Sequence, residues 1–533
     1  MRKAAILLGD EAIALGAIHA GISGVYGYPG TPSTEIFEAI ESFDRDKKIH
    51  ARWSTNEKVA YEQALGMSFA GKRALVTMKH VGLNVAADPF MNSAVTGVQG
   101  GLVLAVADDP GMHSSQNEQD SRFYAQFAMI PCLEPGDQQQ AYDMMLGAFD
   151  LSEKHNVPVM LRLVTRLAHS RANIRVLERG REMHSVPLAE DWKKWTLLPV
   201  NARRNFDKLI AAQKSLLKES EESSDNRLRF ANNFRRGILM SGIAANYVYE
   251  NLGSDLAGYS TLHVCQYPAP TALVRKLVDS IDELLIVEEG YPLLEQQLTG
   301  LLGLKDVKVR GKLNGALPRT GELNPDLVRT ALDLPPREKL PLPPNLAGRP
   351  PQLCSGCPHD ATFHALKEAL ETFGRGRVFS DIGCYTLAAL PPHDIVESCV
   401  DMGASISMAT GASHAGLRPA VAAIGDSTFA HSGMTPLRDA ARENTPVTVV
   451  ILDNATVAMT GTQESAATGE ELLNILYGLG APKEHVLAID PLPKNHKTNV
   501  EIFRRELAHE GLSVIVAHRE CLEAIKKSRK GKA

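Results

Sequence analysis

Short apolar runs alternate with amphipathic segments in the first part of the 533-residue chain. Residues 74–77, 101–106 and 158–163 are each short, apolar and bounded by turn-forming residues, which predicts buried strands. Residues 138–155 have the apolar spacing of an amphipathic helix. Strands that are apolar on both faces and alternate with such helices are typical of a parallel sheet covered by helices. The pattern therefore predicts a parallel α/β domain over residues 1–175.

The rest of the chain shows the same alternation twice more, after two polar connecting segments. A charge-rich stretch is predicted to be a linker with one surface helix, and a proline-rich stretch is predicted to be a stiff connector. Further strands are predicted at residues 237–240, 283–287, 420–424, 447–452 and 512–517. The predicted fold class is multidomain α/β, divided as 1–175, 176–235 (linker), 236–335, 336–352 (connector) and 353–533.

The first residues raise the question of a targeting segment. Apolar residues 4–8 follow Arg2 and Lys3, but Asp10 and Glu11 interrupt the run, which leaves it too short for the apolar region of a signal peptide. A buried first strand is predicted instead. No stretch approaches the roughly 18 uninterrupted apolar residues of a membrane-spanning helix.

Composition narrows the class of protein. The net charge is −5 at pH 7, and only the last residues are strongly basic. This balance argues against a nucleic acid or a membrane surface as the principal partner. We expect a cytoplasmic protein whose seven cysteines are thiols or metal ligands rather than disulfides.

The strongest chemical signal lies at the ends of two predicted strands in the last domain. One strand leads into Gly425-Asp426-Ser427, and the next strand along the chain ends before Asn454. Because ligands of open α/β sheets collect at the carboxyl ends of the strands, Asp426, Asn454 and a backbone carbonyl just beyond would offer Mg²⁺ three hard oxygen ligands. Gly425 would let the backbone approach a phosphate group closely. Either motif alone is more typical of a turn, so the prediction depends on the pair.

Four of the cysteines are candidates for one metal site. A C-x-x-C pair opens the last domain, and in a cytosolic protein such a pair is typical of a redox, zinc or iron–sulfur site. Two further cysteines of that domain could complete four thiolates around one [4Fe–4S] cluster, although zinc accepts the same ligands and free buried thiols also fit the pattern. The candidate ligands are Cys354, Cys357, Cys384 and Cys521. The remaining three, Cys132, Cys265 and Cys399, are predicted to be packing residues, with Cys399 near enough to the predicted site to replace a ligand.

Five motifs resemble those of the thiamine-diphosphate-dependent 2-oxoacid:ferredoxin oxidoreductases, in particular the alpha subunits of the indolepyruvate type. Two lie in the first domain, Tyr-Pro-Gly-Thr-Pro and Trp-Ser-x-Asn-Glu-Lys-Val-Ala. Three lie in the last domain, Asp-Ile-Gly-Cys-Tyr-Thr-Leu, Gly-Asp-Ser-Thr-Phe-x-His-Ser-Gly and Asp-Asn-x-x-x-Ala-Met-Thr-Gly. The resemblance runs nearly from end to end of the chain. The motifs occupy residues 28–32, 53–60, 381–387, 425–433 and 453–461.

This resemblance implies a role for individual residues. Asp426 and Asn454 would bind Mg²⁺, with the main-chain carbonyl near Thr456 as third protein ligand. Glu57, which by itself is an ordinary helix-start carboxylate, would be the group that activates the aminopyrimidine ring of thiamine diphosphate. Thr31 would lie beside the substrate carboxylate and the cofactor. The four candidate cysteines would hold a [4Fe–4S] cluster close to the thiamine.

Two further polar stretches, at residues 78–84 and 108–120, also resemble this family. Each follows a predicted strand and is rich in side-chain donors, although either could be a surface loop. The candidate substrate-pocket residues in or next to them are His80, His113 and Arg122.

The resemblance also implies fold, reaction and partners. Pyrimidine-binding and diphosphate-binding domains would accompany a domain like the C-terminal domain of transketolase over residues 236–335. The reaction would be the coenzyme A-dependent oxidative decarboxylation of a 2-oxoacid, an aryl pyruvate such as indolepyruvate, to acyl-CoA and CO₂. Electrons would leave through the cluster to ferredoxin or a partner subunit. A gamma-type (beta chain) subunit is expected, in a heterotetramer of two chains of each type.

One departure from the family pattern leaves alternatives open. The alpha subunit usually continues into a ferredoxin-like domain, which this sequence does not include, so electrons are expected to pass to another chain. A non-oxidative decarboxylase or carboligase would have no use for the four cysteines. A non-catalytic assembly subunit would not be expected to keep Glu57, Asp426 and Asn454. A synthase working in the carboxylating direction would use the same site.

Overall fold

The computed structural model describes residues 2–187, 195–232, 235–300, 307–338, 341, 345, 346, 348, 352–374 and 377–530. The chain divides into two compact units, Met1–Leu340 and Pro341–Ala533. The predicted connector at 336–352 lies largely outside the described residues. No described helix combines the length and the apolar character needed to cross a bilayer.

The first unit contains fourteen strands among its described residues. They are β1 (Arg2–Leu8), β2 (Gly24–Gly27), β3 (His50–Trp53), β4 (Ala74–Lys79), β5 (Leu102–Asp108), β6 (Cys132–Leu133), β7 (Val159–Val164), β8 (Arg171–Leu177), β9 (Arg227–Arg229), β10 (Arg236–Ser241), β11 (Ser260–Val264), β12 (Gln266–Tyr267), β13 (Glu283–Val287) and β14 (Lys308–Arg310).

Thirteen α-helices connect these strands in the described part of the unit. They are α1 (Gly9–His19), α2 (Thr34–Phe43), α3 (Glu57–Phe69), α4 (His80–Val85), α5 (Ala87–Thr96), α6 (Arg122–Ala128), α7 (Gln138–His155), α8 (Thr165–Ala168), α9 (Pro199–Glu222), α10 (Ala244–Leu252), α11 (Thr271–Val278), α12 (Leu293–Thr299) and α13 (Pro325–Ala331).

A seven-stranded sheet forms the centre of this unit, in the order β12-β6-β7-β5-β4-β2-β3. Its strands are parallel except for the antiparallel pair β12 and β6. Side chains of α1, α2 and α7 cover one face, and side chains of α3 and α5 cover the other. Both faces are therefore buried, which is why these strands are continuous apolar runs in the sequence. The strands predicted at 74–77, 101–106 and 158–163 and the helix predicted at 138–155 are confirmed.

A second sheet of five strands follows, in the order β14-β13-β10-β11-β9, parallel except for β9. It shares a hydrophobic core with one face of the seven-stranded sheet. The predicted linker at 176–235 contains the expected helix, α9. It also contributes strand β9 to this sheet and the end of β8, so the prediction of a plain linker was incomplete.

The first strand differs from its prediction. Residues 2–8 form strand β1, but this strand pairs only with β8, and Ile6 is 71% exposed. The prediction of a strand is confirmed and the prediction that it is buried was wrong. The apolar run packs on α1 and α7 through one face only, because no sheet or helix layer of the described residues covers its other face.

The second unit is built on one fully parallel sheet. Its six strands, in the order β16-β15-β17-β18-β22-β21, lie between two cores, one with α14 and α19 and one with α15, α17 and α18. The strands of this sheet are β15 (Arg377–Ser380), β16 (Val396–Cys399), β17 (Ala420–Gly425), β18 (Thr448–Asp453), β21 (Val486–Ile489) and β22 (Ser513–His518). Two short strands, β19 (Thr456–Val457) and β20 (Gln463–Glu464), pair with each other in a separate antiparallel hairpin. The helices are α14 (Pro358–Leu370), α15 (Ala404–His414), α16 (Asp426–Thr428), α17 (Met434–Glu443), α18 (Gly469–Gly478), α19 (His496–Leu507) and α20 (Leu522–Lys530).

Buried ion pairs join the two sheets of the first unit. The guanidinium group of Arg122 donates to Asp120 at 2.5 Å and to the hydroxyl of Tyr267 at 3.1 Å. It lies 3.2 Å from Glu288, which follows β13. Arg162 of β7 is likewise buried and donates to Asp108 at 2.8 Å. These charges are satisfied within the protein, so they stabilise the fold only as long as each keeps its partner.

Removal of the Arg122 charge is expected to destabilise the first unit. Arg122→Met would leave Asp120 buried without its closest counter-ion, so we expect a loss of roughly 3–5 kcal/mol from the free energy of unfolding. Urea unfolding followed by circular dichroism measures this loss. Arg235→Met, which removes an exposed partner of Asp282, should change the value by less than about 0.5 kcal/mol. Equal effects of the two variants would contradict a structural role for the buried pairs.

Candidate active site

The carboxyl-terminal edge of the parallel sheet in the second unit gathers most of the predicted site residues. Strands β15, β17, β18 and β22 all point toward this edge. The segments that follow them contain Cys384, Asp426, Asn454 and Cys521. Parallel strands therefore bring together residues from four distant stretches of the sequence.

Asp426 begins the short helix α16 directly after β17 and is almost fully buried, with 2% exposure. Its Oδ2 atom has no hydrogen-bond partner among the described residues. Burial raises the pKa of Asp426 to about 7, although Ser465 and the backbone of Ser427 oppose this rise. A buried carboxylate oxygen without a partner is costly unless a cation is bound to it, so the environment of Oδ2 fits a cation ligand.

The neighbouring Asp453 is also buried, but its carboxylate is fully used within the protein. Oδ1 accepts hydrogen bonds from Thr468 at 2.6 Å and from the backbone of Ala455 at 3.2 Å. Oδ2 accepts from the backbone of Gly469 at 2.8 Å and lies 2.7 Å from Nδ1 of His518. Asp453 thus holds both ends of the loop after β18 and has no oxygen left for a ligand.

Asn454 is buried beside a histidine that the sequence reasoning did not single out. Its Nδ2 lies 3.3 Å from Nε2 of His359, and burial lowers the pKa of His359 to about 4. The imidazole is therefore neutral at pH 7, and its Nε2 accepts a hydrogen bond from Nδ2 of Asn454. Oδ1 of Asn454 consequently points away from His359. That oxygen accepts from the backbone of Thr456 at 3.2 Å. His359 lies two residues after the second cysteine of the C-x-x-C pair, so its position beside that motif was the available signal.

Gly425 and Gly383 make room for a tyrosine ring between two of the motifs. A side chain at position 425 would place its Cβ 2.8 Å from the ring of Tyr385, and one at 383 would place it 2.1 Å away. The hydroxyl group of Tyr385 hydrogen-bonds to Asp381, and burial raises the pKa of Asp381 to about 6. The glycine of the Gly-Asp-Ser motif thus permits contact with the Asp-Ile-Gly-Cys motif. Ser427 follows as a half-buried residue of α16.

The four candidate cysteines lie close enough for their charges to interact. Burial raises the pKa of Cys384 to about 12, and the other three sulfurs of the set contribute to the rise. Cys357 precedes α14, where backbone N–H groups of His359 and Asp360 stabilise its thiolate. The backbone of Cys521 donates to the carbonyl of Asn454 at 3.1 Å. The cysteine set and the loop after β18 are therefore directly connected.

Cys399 lies apart from this set. It is exposed at the end of β16, and its sulfur lies 3.8 Å from the carbonyl oxygen of Asp381. The pKa of Cys399 is raised by burial and by the carboxylates of Asp381 and Asp401, with no contribution from the other cysteines. Cys132 and Cys265 are buried in the first unit, as predicted for packing residues.

In the first unit, Glu57 begins helix α3 and is 6% exposed. Asn56 caps this helix by accepting a hydrogen bond from the backbone of Val59 at 2.9 Å. The Glu57 carboxyl group lies against Gly82 of α4, where a Cβ would come within 2.6 Å of Oε1. A glycine is therefore required at position 82 for Glu57 to take this position. The carboxyl group is held inside the fold rather than in solvent.

Thr31 belongs to a loop between β2 and α2 that carries a cis peptide bond to Pro32. The loop is held by hydrogen bonds from Gly30 to Thr34 at 2.9 Å and from Ser33 to Gly30 at 2.8 Å. Ser114 donates to the carbonyl of Thr31 at 3.1 Å. The half-buried Thr31 is thereby connected to the segment that follows β5.

A lysine at the end of β4 was missed by the sequence reasoning. Lys79 packs its aliphatic chain against Gly30 and donates from Nζ to the carbonyl of Ser114 at 3.0 Å. Burial lowers the pKa of Lys79 to about 8, and the charges of Asp109 and Glu57 oppose this shift. Its position at the end of a strand, within a stretch that resembles the family, could have marked it as a site residue. Lysines at strand ends are usually solvated, however, so the sequence alone did not distinguish it.

The three candidate substrate-pocket residues occupy different environments. Arg122 is enclosed in the buried ion pairs described above, so its positive charge is balanced by carboxylates of the first unit. His113 is 53% exposed in its side chain and lies 3.5 Å from Glu322. His80 is buried, and its Nε2 lies 3.2 Å from the side chain of Asn117.

Known proteins resemble this chain over nearly its whole length. Residues 15–219 match the family described as Pyruvate flavodoxin/ferredoxin oxidoreductase, thiamine diP-bdg, and residues 381–492 match Thiamine pyrophosphate enzyme, C-terminal TPP binding domain. The Indolepyruvate oxidoreductase subunit IorA of Methanothermobacter thermautotrophicus is 38% identical over 97% of this chain and 86% of its own. The subunit IorA of Archaeoglobus fulgidus is 37% identical over the same shares. This chain belongs to the IorA family.

A solved structure shares the fold of this IorA-family chain. It is a 2-oxoglutarate:ferredoxin oxidoreductase from Magnetococcus marinus with 2-oxoglutarate, coenzyme A and succinyl-CoA bound. The TM-score is 0.51 at 15% identity, over 62% of this chain and 65% of that chain. The predicted α/β fold class and the family resemblance are confirmed, whereas the roles of single residues stay predictions.

The buried carboxyl group of Asp426 predicts a pH-dependent effect on stability in protein freed of bound ions and cofactors. Its pKa is about 7 when folded and roughly 4 when unfolded, so its stabilising contribution is present below pH 4 and is lost as the pH rises to 7. Asp426→Asn does not titrate and should raise the melting temperature by at least about 2 °C at pH 8. The gain at pH 5 should be smaller.

Asp453→Asn is the matched control in the same thermal melts. It removes a carboxylate that holds four hydrogen bonds, so it should lower the melting temperature at both pH values. A destabilising effect of Asp426→Asn at pH 8 would contradict the interpretation that burial dominates the environment of that side chain.

Proposed function

We propose that this chain binds thiamine diphosphate and catalyses the coenzyme A-dependent oxidative decarboxylation of a 2-oxoacid to acyl-CoA and CO₂. The substrate class is an aryl pyruvate such as indolepyruvate. The observation that carries the proposal is that one sheet edge holds both a buried carboxylate with one unpartnered oxygen, Oδ2 of Asp426, and a set of four cysteines. The membership of the chain in the IorA family supports the same reaction.

In this proposal Mg²⁺ and the diphosphate group are held in the second unit. Asp426, Asn454 and the main-chain carbonyl of Thr456 would provide the three oxygen ligands that Mg²⁺ prefers. Gly425 and Ser427 would lie against the diphosphate at the start of a helix, where backbone N–H groups bind anions. When bound, the cofactor would supply the electron sink that takes up the electron pair of the broken C–C bond as the carboxylate leaves as CO₂.

Glu57 is proposed to form a hydrogen bond with the aminopyrimidine ring and to exchange a proton through it. Support comes from its burial at the start of α3 and from its close contact with Gly82, which holds the carboxyl group in one place. Thr31 is proposed to lie beside the substrate, on the loop joined to Ser114.

The four cysteines are proposed to bind one [4Fe–4S] cluster. Four thiolates suit either a [4Fe–4S] cluster or a tetrahedral zinc ion, and the proposed electron transfer requires the cluster. Cys354, Cys357, Cys384 and Cys521 share mutual charge interactions, which supports them over Cys399 as ligands.

The proposed assembly contains a second, gamma-type (beta chain) subunit, and ferredoxin or another iron–sulfur protein accepts the electrons. A heterotetramer of two chains of each type in the cytoplasm is the proposed form. The relatives are each named as a subunit of an oxidoreductase, which supports a partner chain. A non-oxidative decarboxylase is disfavoured, because its reaction transfers no electrons and would not use the four cysteines. A synthase working in the opposite direction would share the same residues.

The carboxyl group of Glu57 is expected to be needed for turnover. Glu57→Gln keeps the shape but cannot exchange a proton, so it should lower kcat by roughly 10²–10⁴-fold. Turnover is measured anaerobically with indolepyruvate, coenzyme A and an electron-accepting dye. Glu62→Gln, which alters an exposed residue of the same helix paired with Lys58, should leave kcat unchanged. Full activity of the Glu57 variant would exclude the proposed role.

Iron content tests the redox part of the proposal. Anaerobically purified enzyme should contain about four irons and four sulfides per chain, with visible absorbance that bleaches on adding a 2-oxoacid and coenzyme A. Cys384→Ser should lose the iron, whereas Cys399→Ser, a change at a nearby cysteine outside the set, should keep it. Thiamine diphosphate without iron in the unaltered enzyme would reject the redox reaction and favour simple decarboxylation.

A further inference from the structure

Lys79 is a cation whose ammonium group feels the charges of Glu57 and Asp109 but forms no ion pair with a described carboxylate. It ends strand β4 at the same sheet edge where Glu57 begins α3. Among the described residues, Nζ makes one hydrogen bond, to the carbonyl of Ser114 at 3.0 Å. In the part of the chain that the structure describes, no carboxylate oxygen lies within 4.0 Å of Nζ. A half-buried ammonium group in this position lacks the counter-ion that burial normally requires.

Asp109, whose charge also acts on Lys79, already has hydrogen-bond partners. One oxygen of Asp109 accepts hydrogen bonds from the backbone of Ser114 at 2.8 Å and from the hydroxyl of Ser115 at 2.7 Å. Its other oxygen accepts from Thr165 at 2.8 Å. Burial alone would raise the pKa of Asp109, but these hydrogen bonds lower it below its usual value. Asp109 therefore supplies negative potential near Lys79 without forming an ion pair with it.

The lysine side chain is also held in place. Gly30 borders it so closely that a Cβ at position 30 would lie 3.0 Å from Cδ of Lys79. Ser114 accepts from Lys79 and donates to the carbonyl of Thr31. The ammonium group is thus fixed between the Thr31 loop and the segment after β5. A point charge that is held in this way is suited to bind an anion that enters from solvent.

We propose that Lys79 binds the carboxylate group of the 2-oxoacid substrate. This inference rests on the proposed function, since the anion is the substrate of that reaction. A diphosphate or a coenzyme A phosphate has the same charge chemistry. The substrate carboxylate is favoured because Lys79 shares its edge with Glu57 and Thr31, whereas every proposed diphosphate ligand belongs to the second unit.

The chemistry predicts which kinetic constant depends on Lys79. The carboxylate loses its negative charge as it becomes CO₂, so an ion pair to Lys79 is stronger in the bound substrate than in the transition state. Such an interaction contributes to substrate binding and does not accelerate the chemical step. The expected effect of losing it is therefore on KM for the 2-oxoacid.

Lys79→Met in the holoenzyme tests this inference. We expect KM for indolepyruvate to rise by roughly 10–100-fold, the range for loss of a hydrogen bond to a charged group, with kcat changed less than about threefold. Lys79→Arg should restore much of the affinity. Lys48→Met, which removes an exposed charge paired with Asp46, should leave all constants unchanged.

A pH series gives a second measurement. The pKa of Lys79 is about 8, so its ammonium form is present below that pH and disappears above it. In the unaltered enzyme, KM for the 2-oxoacid should rise as the pH passes through about 8, with Asp109, Glu57 and the adjacent His80 as the ionisable groups nearest to Nζ. In Lys79→Met this rise should be absent.

The other outcomes separate the possible anions. An increase in the dissociation constant of thiamine diphosphate, or in KM for coenzyme A, with unchanged KM for the 2-oxoacid would overturn the inference and place a phosphate at Lys79. Unchanged constants throughout would also overturn it. Complete inactivity of the unaltered holoenzyme toward every 2-oxoacid would instead reject the proposed function, which distinguishes the two failures.

Discussion

A carboxylate or ammonium group that leaves water needs an opposite charge or hydrogen-bond partners within the protein. In the first unit, Arg122 and Arg162 meet this requirement by pairing with buried acids and so join two sheets. In the second unit, Asp453 meets it through four hydrogen bonds. Asp426 and Lys79 meet it only in part among the described residues, because Oδ2 of Asp426 has no hydrogen-bond partner and the Lys79 ammonium group has one hydrogen bond and no ion pair. The groups that stabilise the fold therefore differ from those proposed to bind a ligand in how completely their partners are already present.

The parallel sheets determine where the unsatisfied groups lie. Parallel strands all run in the same direction. The residues that follow their last positions therefore lie together at one edge of the sheet. Asp426 and Cys521 are far apart in sequence but follow β17 and β22 at that edge. Lys79 and Glu57 share the corresponding edge of the first unit. The fold thus accounts for the position of chemical groups that no short motif contains together.

The sequence was sufficient to predict those features that depend on local pattern. Apolar runs located the buried strands to within a residue or two, and the amphipathic spacing located helix α7. The pattern failed for β1, whose apolar residues suggested burial, because exposure depends on whether another layer covers the strand. Likewise, Asp426 and Asp453 both follow apolar strands, and only their neighbours show which carboxylate is satisfied. Lys79 and His359 were missed for the same reason.

The carboxylate of Asp453 holds the start of the segment after β18 and, through Thr468 and Gly469, also its end. Residues between these points form a small hairpin, β19 and β20, joined by its own hydrogen bonds. Both ends of the segment are thus fixed by one side chain. A single change at Asp453 would release both ends at once, so the position of the Thr456 carbonyl depends on a carboxylate that is not itself proposed to touch the metal.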